Sequence, residues 1–423
     1  MPAPAPLFRS ADLGGGFRLH LHRTQVFKTL QARLAFHADL DDATAARALL
    51  PRVLGRGTRR HPTLREMQVA LDTLFGATLS GEARKIGERH VLVFRAEWVS
   101  DRLARRRILP EMGRLFRELL RDPAEEEGGG LRGEVIAQER KLQADEADAV
   151  FDDKGRYARQ RLLDCMGRGD PFARPSIGRA AEIRAVAPEA VRAAHRDLLD
   201  RAEADLFLVG DLPWRAALAF ARGLGFPARR ACAPLRPFSA RRPGRPRTVV
   251  EREEVGQGKL ELGFRTPVRL GHRLYPGLVL FNMLFGGSPT GKLFKQVREK
   301  ASLCYSISSG VERSLGLLLV QAGIDVRRYA RARRMILDLL DDLRDGKVTA
   351  EEEAHAREQL LSGLRVLKDR PGGLVDFALE RAVNGLPADL GGLVRELRRV
   401  PVAEAAEAAR TVRLDTVYFL RSR

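Results

Sequence analysis

The sequence predicts an α+β fold built from two similar halves, because one order of elements occurs twice. In the first half, Leu74–Val99 (LFGATLSGEARKIGERHVLVFRAEWV) contains two strand-like runs joined by a polar turn, and a helical pattern follows through Leu119. In the second half, Lys300–Asp325 (KASLCYSISSGVERSLGLLLVQAGID) repeats the two strands, and the helix RYARARRMILDLLDDLRDG follows. This order is typical of antiparallel strands with helices packed on one face.

Each half extends beyond this repeated unit. In the first half, helical patterns at 134–149, 157–166 and 188–200 precede the strand-like run ADLFLVGDL, and the second half ends with a matching run, TVYFLRSR. We therefore expect two related subdomains in each half. The predicted domains are an N-terminal half, 1–227, a Pro/Arg-rich linker, 228–248, and a C-terminal half, 249–423.

The composition is that of a globular protein, with 44% hydrophobic and 30% charged residues among 423. The net charge of +19 raises the question of nucleic acid, but arginine supplies 64 of the 74 basic residues, and they are spread along the chain. Aromatic residues make up 6%, too few for a base-stacking surface. The charge is interpreted as solvated surface, and no nucleic-acid partner is expected.

No basic start followed by an apolar run opens the sequence, and no stretch of about 18 uncharged apolar residues occurs. The sequence therefore predicts a cytoplasmic protein without a membrane partner. Three cysteines, Cys165, Cys232 and Cys304, are far apart and odd in number, which argues against a disulfide framework or a zinc knuckle. We expect them to be buried small hydrophobic residues.

A proline interrupts one predicted helix, in the stretch ARALLPRVLGRGTRR that spans 46–60. Leucine and valine residues recur there at helical spacing, but Pro51 lacks the backbone N–H that a helix interior requires. Such a proline costs roughly 3 kcal/mol unless the chain bends there. The fold must therefore accommodate Pro51 within or next to this helix.

Three features together resemble the M16 family, which contains pitrilysin and the mitochondrial processing peptidases. They are the duplicated halves, the turn GTRRHPT after a helix, and the run NMLFGGSPTGKLFKQVREKASLCYSISS at 282–309. The pattern REKxxLxY, from Arg298 to Tyr305, is the most specific piece. The N-terminal sequence is similar to that of a non-catalytic branch of the family associated with elongation factor P modification. The resemblance implies a duplicated M16/LuxS-like metallohydrolase fold.

The resemblance also implies a zinc motif, HxxEH, on the helix before the Gly-Thr turn. Histidines at positions i and i+4 share one helix face and bind Zn²⁺, while the glutamate activates the metal-bound water. The corresponding positions are Ala48, Pro51 and Arg52, none of which binds zinc or acts as a base. The family's third ligand falls near Glu139, interpreted as a solvated helix carboxylate. The sequence thus predicts no catalytic residue, no cofactor and no metal.

One close histidine pair occurs elsewhere, since His20 and His22 share a face of the first long strand. A two-ligand metal site is conceivable there, although packing on the strand face is the preferred interpretation.

In the peptidases of this family, the arginine and tyrosine of REKxxLxY hold the substrate backbone, and a glycine-rich loop contacts the peptide. The resemblance therefore implies that substrate contacts Arg298 and Tyr305 together with Gly286, Gly287 and Gly291. From the residues alone, REK indicates a surface helix of ion pairs, and the tyrosine a core aromatic residue.

The same glycine-rich run also fits the start of a P-loop, GxxxxGK, at 286–292. A P-loop next requires Ser or Thr, where this chain has Leu293, and Pro289 removes an amide that would bind phosphate. ATP binding is therefore not expected.

Two functional hypotheses rank ahead of an enzyme with a non-canonical site and of a basic nucleic-acid binder. The first is a catalytically inactive M16-type subunit that forms a heterodimer with an active HxxEH-containing homologue and helps bind a peptide or protein substrate in a shared chamber. The second is a polypeptide-binding scaffold without peptidase activity, either alone or as a homodimer. In both, this chain is not itself an enzyme.

Overall fold

The chain folds into strands and helices that build two sheets, and a computed structural model describes residues 6–126, 129–226, 232, 234–239 and 244–422. The strands are β1 Arg9–Asp12, β2 Phe17–Arg23, β3 Thr29–Asp39, β4 Thr78–Ile86, β5 Arg89–Val99, β6 Glu203–Gly210, β7 Arg247–Arg252, β8 Gly258–Arg265, β9 Cys304–Glu312, β10 Leu317–Ile324 and β11 Arg413–Arg421.

The α-helices alternate with these strands along the chain. They are α1 Thr44–Leu54, α2 Leu64–Asp72, α3 Asp101–Ala104, α4 Leu109–Arg121, α5 Gly133–Ala149, α6 Lys154–Met166, α7 Ala180–Arg184, α8 Pro188–Arg201, α9 Trp214–Gly223, α10 Tyr275–Asn282, α11 Tyr329–Arg344, α12 Ala350–Lys368, α13 Pro371–Val383, α14 Leu390–Arg399 and α15 Val402–Thr411. In the described part of the chain, no helix has both the length and the apolar character needed to cross a membrane.

Two compact units exchange segments of sequence. Unit 1 contains Met1–Asp148, Arg174–Pro237 and Arg370–Ala388, and unit 2 contains Ala149–Ala173, Phe238–Asp369 and Asp389–Arg423. The domain boundaries 1–227 and 249–423 stay a prediction. The two units differ from these predicted domains because Ala149–Ala173 belongs to unit 2 and Arg370–Ala388 to unit 1. Within the predicted linker 228–248, residues 228–231, 233 and 240–243 lie outside the described residues.

Unit 1 contains a six-stranded mixed sheet in the order β1-β2-β6-β3-β5-β4. The long strands β3 and β5 pair antiparallel with Leu34 opposite Phe94, whereas β2 and β6 run parallel. The strand that was expected in a second subdomain, β6, lies in the middle of this same sheet. Every residue from 204 to 210 is buried. A strand at the edge of a sheet or in a separate small sheet would leave some of these residues exposed, so β6 lies inside the large sheet.

One face of this sheet carries the main apolar core of unit 1. Leu34, Phe36, Phe94 and Trp98 point to this face and are buried. Helix α1 packs on β4 and β5, α4 on β5, and α9 on β2. Burial of large apolar side chains on this face supplies the main driving force for folding of the unit.

Helix α13, from late in the sequence, packs on β3 and β6 of unit 1. Arg33 of β3, which alternates with the core leucines and so faces away from them, is almost fully buried and donates to Asp376 of α13 at 2.6 Å. Arg84 of β4 donates to the same oxygen at 2.6 Å. The sheet therefore has helices on both faces, not on one as the sequence predicted, since β3 carries buried residues on both sides.

Unit 2 repeats the topology of unit 1 without its first strand. Its sheet has the order β7-β11-β8-β10-β9, with β7 and β11 parallel and the other pairs antiparallel. Each strand has a counterpart in the same position of unit 1, and helices α12 to α15 follow in the order of α5 to α8. The predicted α+β duplication is confirmed.

In unit 2, helix α6 takes the place that α13 has in unit 1, and it packs on β8 and β11. Met166 of α6 lies over Gly263, where an added Cβ would stand 2.1 Å from the methionine sulfur. Next to it, Arg159 of α6 donates to Glu261 of β8 at 3.3 Å. Glu261 is 3% exposed, so α6 covers a carboxyl group in the sheet.

The cysteine prediction is confirmed for two of three residues. Cys165 and Cys304 are buried, and Cys232 is half-buried with its thiol donating to the carbonyl oxygen of Gly15 at 3.0 Å. Burial raises the pKa of the Cys304 thiol to about 11, so this thiol stays protonated at neutral pH.

Glu261 makes the stability of unit 2 depend on pH. Burial raises its pKa from 4.5 to about 7, and the attraction from Arg159 offsets only part of this. Between those pH values the folded state keeps a proton that the unfolded state releases, so stability falls as pH rises from about 4.5 to about 7, by roughly 3 kcal/mol. We expect Glu261→Gln to flatten this part of the pH profile.

The measurement is the free energy of unfolding in urea at several pH values from 5 to 8. Glu254→Gln, which changes an exposed carboxylate in the same unit, serves as the matched control and should leave the profile unchanged. A Glu261→Gln protein with the slope of the wild-type chain would contradict the assignment.

Candidate functional site

The first part of the candidate site lies on α1 of unit 1, where the resemblance places the zinc motif. Ala48 is buried, Pro51 lies within the helix, and Arg52 is partly exposed. The helix runs without interruption to Leu54, and the N–H of Gly55 donates to the carbonyl oxygen of Pro51 at 3.2 Å. The three positions thus keep a helical arrangement but carry no group that binds a metal.

Pro51 is accommodated by a glycine on the neighbouring strand. A Cβ added to Gly81 of β4 would lie 2.8 Å from the Cβ of Pro51, closer than real atoms pack. Because Gly81 has no side chain, the proline ring packs directly on the sheet. This contact compensates in part for the backbone hydrogen bond that proline cannot make.

Arg52, at the position of the second zinc-motif histidine, bonds to acidic residues of α5. It forms ion pairs with Glu146 and, at 3.8 Å, with Glu139. Arg56, one turn further along the chain, also pairs with Glu139. The interpretation of Glu139 as a solvated carboxylate is wrong, because its side chain is only 3% exposed.

Two arginine cations therefore compensate the buried carboxylate that stands near the position of the family's third zinc ligand. A buried carboxylate without a cation is strongly destabilising, and either a metal or a guanidinium supplies the charge. Unlike a metal, a guanidinium has no open coordination position and does not lower the pKa of a water molecule. This cluster stabilises the packing of α1 and α5, but it has no means to activate water.

His20 and His22 take different partners. The Nδ1 of His22 bonds to the carbonyl oxygen of Leu7 at 2.7 Å, whereas His20 bonds through Nε2 to Asp205 at 2.9 Å. Packing on the strand face, the preferred interpretation, is confirmed. No group of three or more His, Cys, Asp or Glu residues that could hold a metal occurs among the residues whose placement is described.

Asp205 is the residue that sequence reasoning missed in this region. It lies in β6, fully buried, and accepts hydrogen bonds from Arg18 at 2.7 Å, His37 at 2.7 Å and His20. Burial alone would raise the pKa of Asp205, but the bonds from His20, His37 and Arg18 hold it well below its usual range. The signal in the sequence is a single aspartate inside the apolar run ADLFLVG, which requires buried cationic partners.

The second part of the candidate site, in unit 2, contains Arg298 and Tyr305. Arg298 lies on a π-helical segment, Leu293–Lys300, and its guanidinium stands 4.5 Å from the ring centre of Phe294. Tyr305 is the second residue of β9 and is 70% exposed. Interpreting Tyr305 as a core aromatic residue is therefore wrong, because its ring projects into solvent.

Arg298 is exposed as well, and it forms no ion pair with any residue that the structure describes. The alternative of a surface helix of ion pairs therefore finds no support in this segment. Strand β9 is the last strand of its sheet and pairs only with β10 among the described strands. The two side chains thus lie near the start of a strand whose outer edge pairs with no strand in the described part of the chain.

The three glycines of the predicted substrate loop each have a packing reason. A Cβ on Gly286 would stand 2.6 Å from Leu293, one on Gly291 would stand 3.0 Å from the carbonyl oxygen of Phe285, and one on Gly287 would stand 2.4 Å from Asn282. Gly286 and Gly291 are buried, and Gly287 alone is exposed. Their residue type follows from close backbone packing, so it is no independent sign of peptide contact.

Lys292, the lysine of the P-loop-like run, forms an ion pair with Glu352. Its ammonium lies 2.9 Å from both carboxylate oxygens of Glu352, and it is buried. The element before the run is α10, where a P-loop requires a strand. This geometry leaves no phosphate site of the P-loop kind.

Comparison with known proteins places these features in a family. The sequence profile described as the peptidase M16 inactive domain matches residues 185–360. A probable inactive metalloprotease of Bacillus subtilis (strain 168), YmfF, is 31% identical over 410 residues, which cover 96% of both chains.

Two solved structures share the fold. A conserved protein from Enterococcus faecalis V583 superimposes with a TM-score of 0.90 at 24% identity, over 99% of both chains. A peptidase M16 inactive domain from Pseudomonas fluorescens gives a TM-score of 0.82 at 17% identity, over 98% of both chains. These likenesses confirm the M16-like arrangement of two similar halves.

The chain belongs to the M16 peptidase family. Within it, the chain is an inactive homologue, because alanine, proline and arginine occupy the three positions of the HxxEH motif.

The ion cluster at Glu139 predicts the effect of removing one arginine. Arg56→Met keeps the length of the side chain but leaves the buried carboxylate with Arg52 alone, at 3.8 Å. We expect a loss of about 2–3 kcal/mol in the free energy of unfolding, since breaking one side of a buried pair leaves an uncompensated charge.

Urea unfolding measures this loss. Arg59→Met, which removes an exposed ion pair with Glu125, is the matched control and should cost less than about 1 kcal/mol. The double change Arg56→Met and Glu139→Gln should recover most of the stability. A double variant no more stable than Arg56→Met would contradict the explanation.

Proposed function

We propose that this chain is a cytoplasmic, non-catalytic M16 subunit that pairs with a zinc-bearing homologue and helps bind a polypeptide substrate in a shared chamber. The observation that carries the proposal is the contrast between its two units. In unit 1, alanine and arginine occupy the positions of the two zinc-binding histidines and proline that of the glutamate, whereas unit 2 keeps an exposed Arg298 and Tyr305 without an ion pair to any described residue.

The chemistry of Arg298 and Tyr305 suits a peptide backbone. A guanidinium donates several hydrogen bonds in a fixed plane, and a phenol both donates and accepts, so peptide carbonyl groups are natural partners. Exposure of Tyr305 leaves the apolar surface of its ring in contact with water. A bound partner would cover that surface.

Strand β9 supports the same proposal. An extended peptide that adds to a free strand edge gains backbone hydrogen bonds whatever its sequence, and side chains beside the edge give specificity. Tyr305 belongs to β9, and Arg298 lies in the π-helical segment that packs against it. Such π-helical turns are rare and occur frequently at functional sites.

A pull-down from the source cells tests the pairing. We expect the tagged chain to recover an HxxEH-containing homologue at about one to one, with close to one zinc per pair, because one complete ligand set supplies one metal site. Recovery of the chain alone or with a second copy of itself, free of zinc, would favour a polypeptide-binding scaffold and contradict the heterodimer.

The double variant Arg298→Ala and Tyr305→Ala tests the peptide site. Both side chains are exposed, so we expect the unfolding free energy to stay within about 0.5 kcal/mol of wild type. Peptide affinity of the chain or of its recovered complex should fall at least about tenfold, measured by fluorescence anisotropy. Arg196→Ala, an exposed helix arginine in unit 1, is the control and should leave affinity unchanged. Unaltered affinity in the double variant would show that the site lies elsewhere.

A further inference from the structure

Five basic side chains gather at one end of the unit 2 sheet. Cys304, the first residue of β9, pairs with Ile324, the last residue of β10, so the segment before β9 and the segment after β10 meet there. The exposed cations on these two segments, called here the basic ridge, are Arg298, Lys300, Arg327, Arg328 and Arg331.

A direct contact joins the two segments of the ridge. The guanidinium of Arg328 donates to the carbonyl oxygen of Ser302, in the turn that leads from the π-helical segment into β9. Tyr305 follows this turn by three residues. The basic ridge therefore continues from the position of Arg298 and Tyr305, so that one extended ligand can touch all of them.

The charge of the ridge is not balanced locally. Two carboxylates, Glu299 and Asp325, belong to the same segments, which leaves an excess of three positive charges. The carboxylate of Asp325 accepts a hydrogen bond from the backbone N–H of Arg327 at 2.9 Å. In the described part of the chain, Arg298, Lys300, Arg327 and Arg331 have no ion pair.

This local excess differs from the general richness of the chain in arginine. At the other end of α11, Arg344 pairs with Asp341 at 2.7 Å. At the start of the helix no acidic residue occurs in the first turn, although a helix of this length is stabilised by acidic residues there. The exposed cations of the ridge thus repel one another and oppose the helix dipole, a cost that an anionic ligand would remove.

We propose that the polypeptide bound along β9 is acidic, with carboxylate side chains that contact the basic ridge next to Arg298 and Tyr305. This inference rests on the proposed function and adds the substrate class. A peptide fits better than nucleic acid, because the outer edge of β9, which pairs with no described strand, offers backbone hydrogen bonds, while bases require aromatic side chains for stacking. At the ridge, Tyr305 is exposed, but Phe294 lies under the guanidinium of Arg298.

Three labelled peptides of equal length test the substrate class, each applied to the full chain and to its recovered complex. They share the same apolar residues and carry Glu, Gln or Lys at alternate positions. At low salt the Glu peptide should bind at least about tenfold more tightly than the Lys peptide, and the difference should shrink toward about 0.5 M salt as screening increases.

Charge reversal at the ridge supplies the decisive variant. Arg327→Glu with Arg331→Glu should weaken binding of the Glu peptide about tenfold and leave the Gln peptide nearly unchanged. The control is Arg196→Glu with Arg201→Glu, on exposed positions of α8, which alters the net charge equally and should change neither affinity.

The outcomes separate this inference from the proposed function. Equal binding of all three peptides, lost in the variant of Arg298 and Tyr305, would overturn the acidic preference and leave the peptide site in place. Failure of every peptide to bind either the chain or its complex would overturn both. Tighter binding of a single-stranded oligonucleotide than of the Glu peptide, sensitive to Arg327 and Arg331, would assign the ridge to nucleic acid and overturn the inference.

Discussion

The fold depends on one constraint, which is that both faces of each sheet must be covered. Strand β3 carries core leucines on one side and buried arginine and histidine side chains on the other, and β8 carries Glu261 beneath α6. Buried polar groups are stable only when partners reach them. Each unit therefore needs a helix on its second face, and that helix supplies an arginine or a carboxylate as well as apolar surface.

The former metal position shows how an inactive homologue keeps its packing. When a buried carboxylate remains, removal of a metal is tolerated only if another cation takes over the charge. Arg52 and Arg56 meet this requirement at Glu139, and Gly81 makes room for the proline that stands at the position of the motif's glutamate. The positions of the HxxEH motif in this chain thus belong to an ion cluster and to a packed contact between helix and strand.

Periodicity and resemblance predicted the elements and the family, since strands such as β5 and helices such as α11 follow local patterns. They could not predict that β6 joins the same sheet, because strand order depends on long-range burial. The charge state around Glu139 also escaped prediction, because Arg56 looks like an ordinary surface residue in the sequence. The exposure of Tyr305 could not be predicted from the sequence either, because edge strands and central strands contain similar residues.

The exchange of α6 and α13 between the units bears on how such a chain could arise. A chain of half this length with the same topology would form its own sheet. Its own helix corresponding to α6 or α13 would not cover the second face of that sheet, because in this protein each of these helices packs on the sheet of the other half. Two such copies would cover both sheets if each placed this helix on the sheet of the other, which is the arrangement of a domain-swapped dimer. The single chain meets the same requirement within one molecule, because each half of the sequence contains the helix that belongs to the other unit.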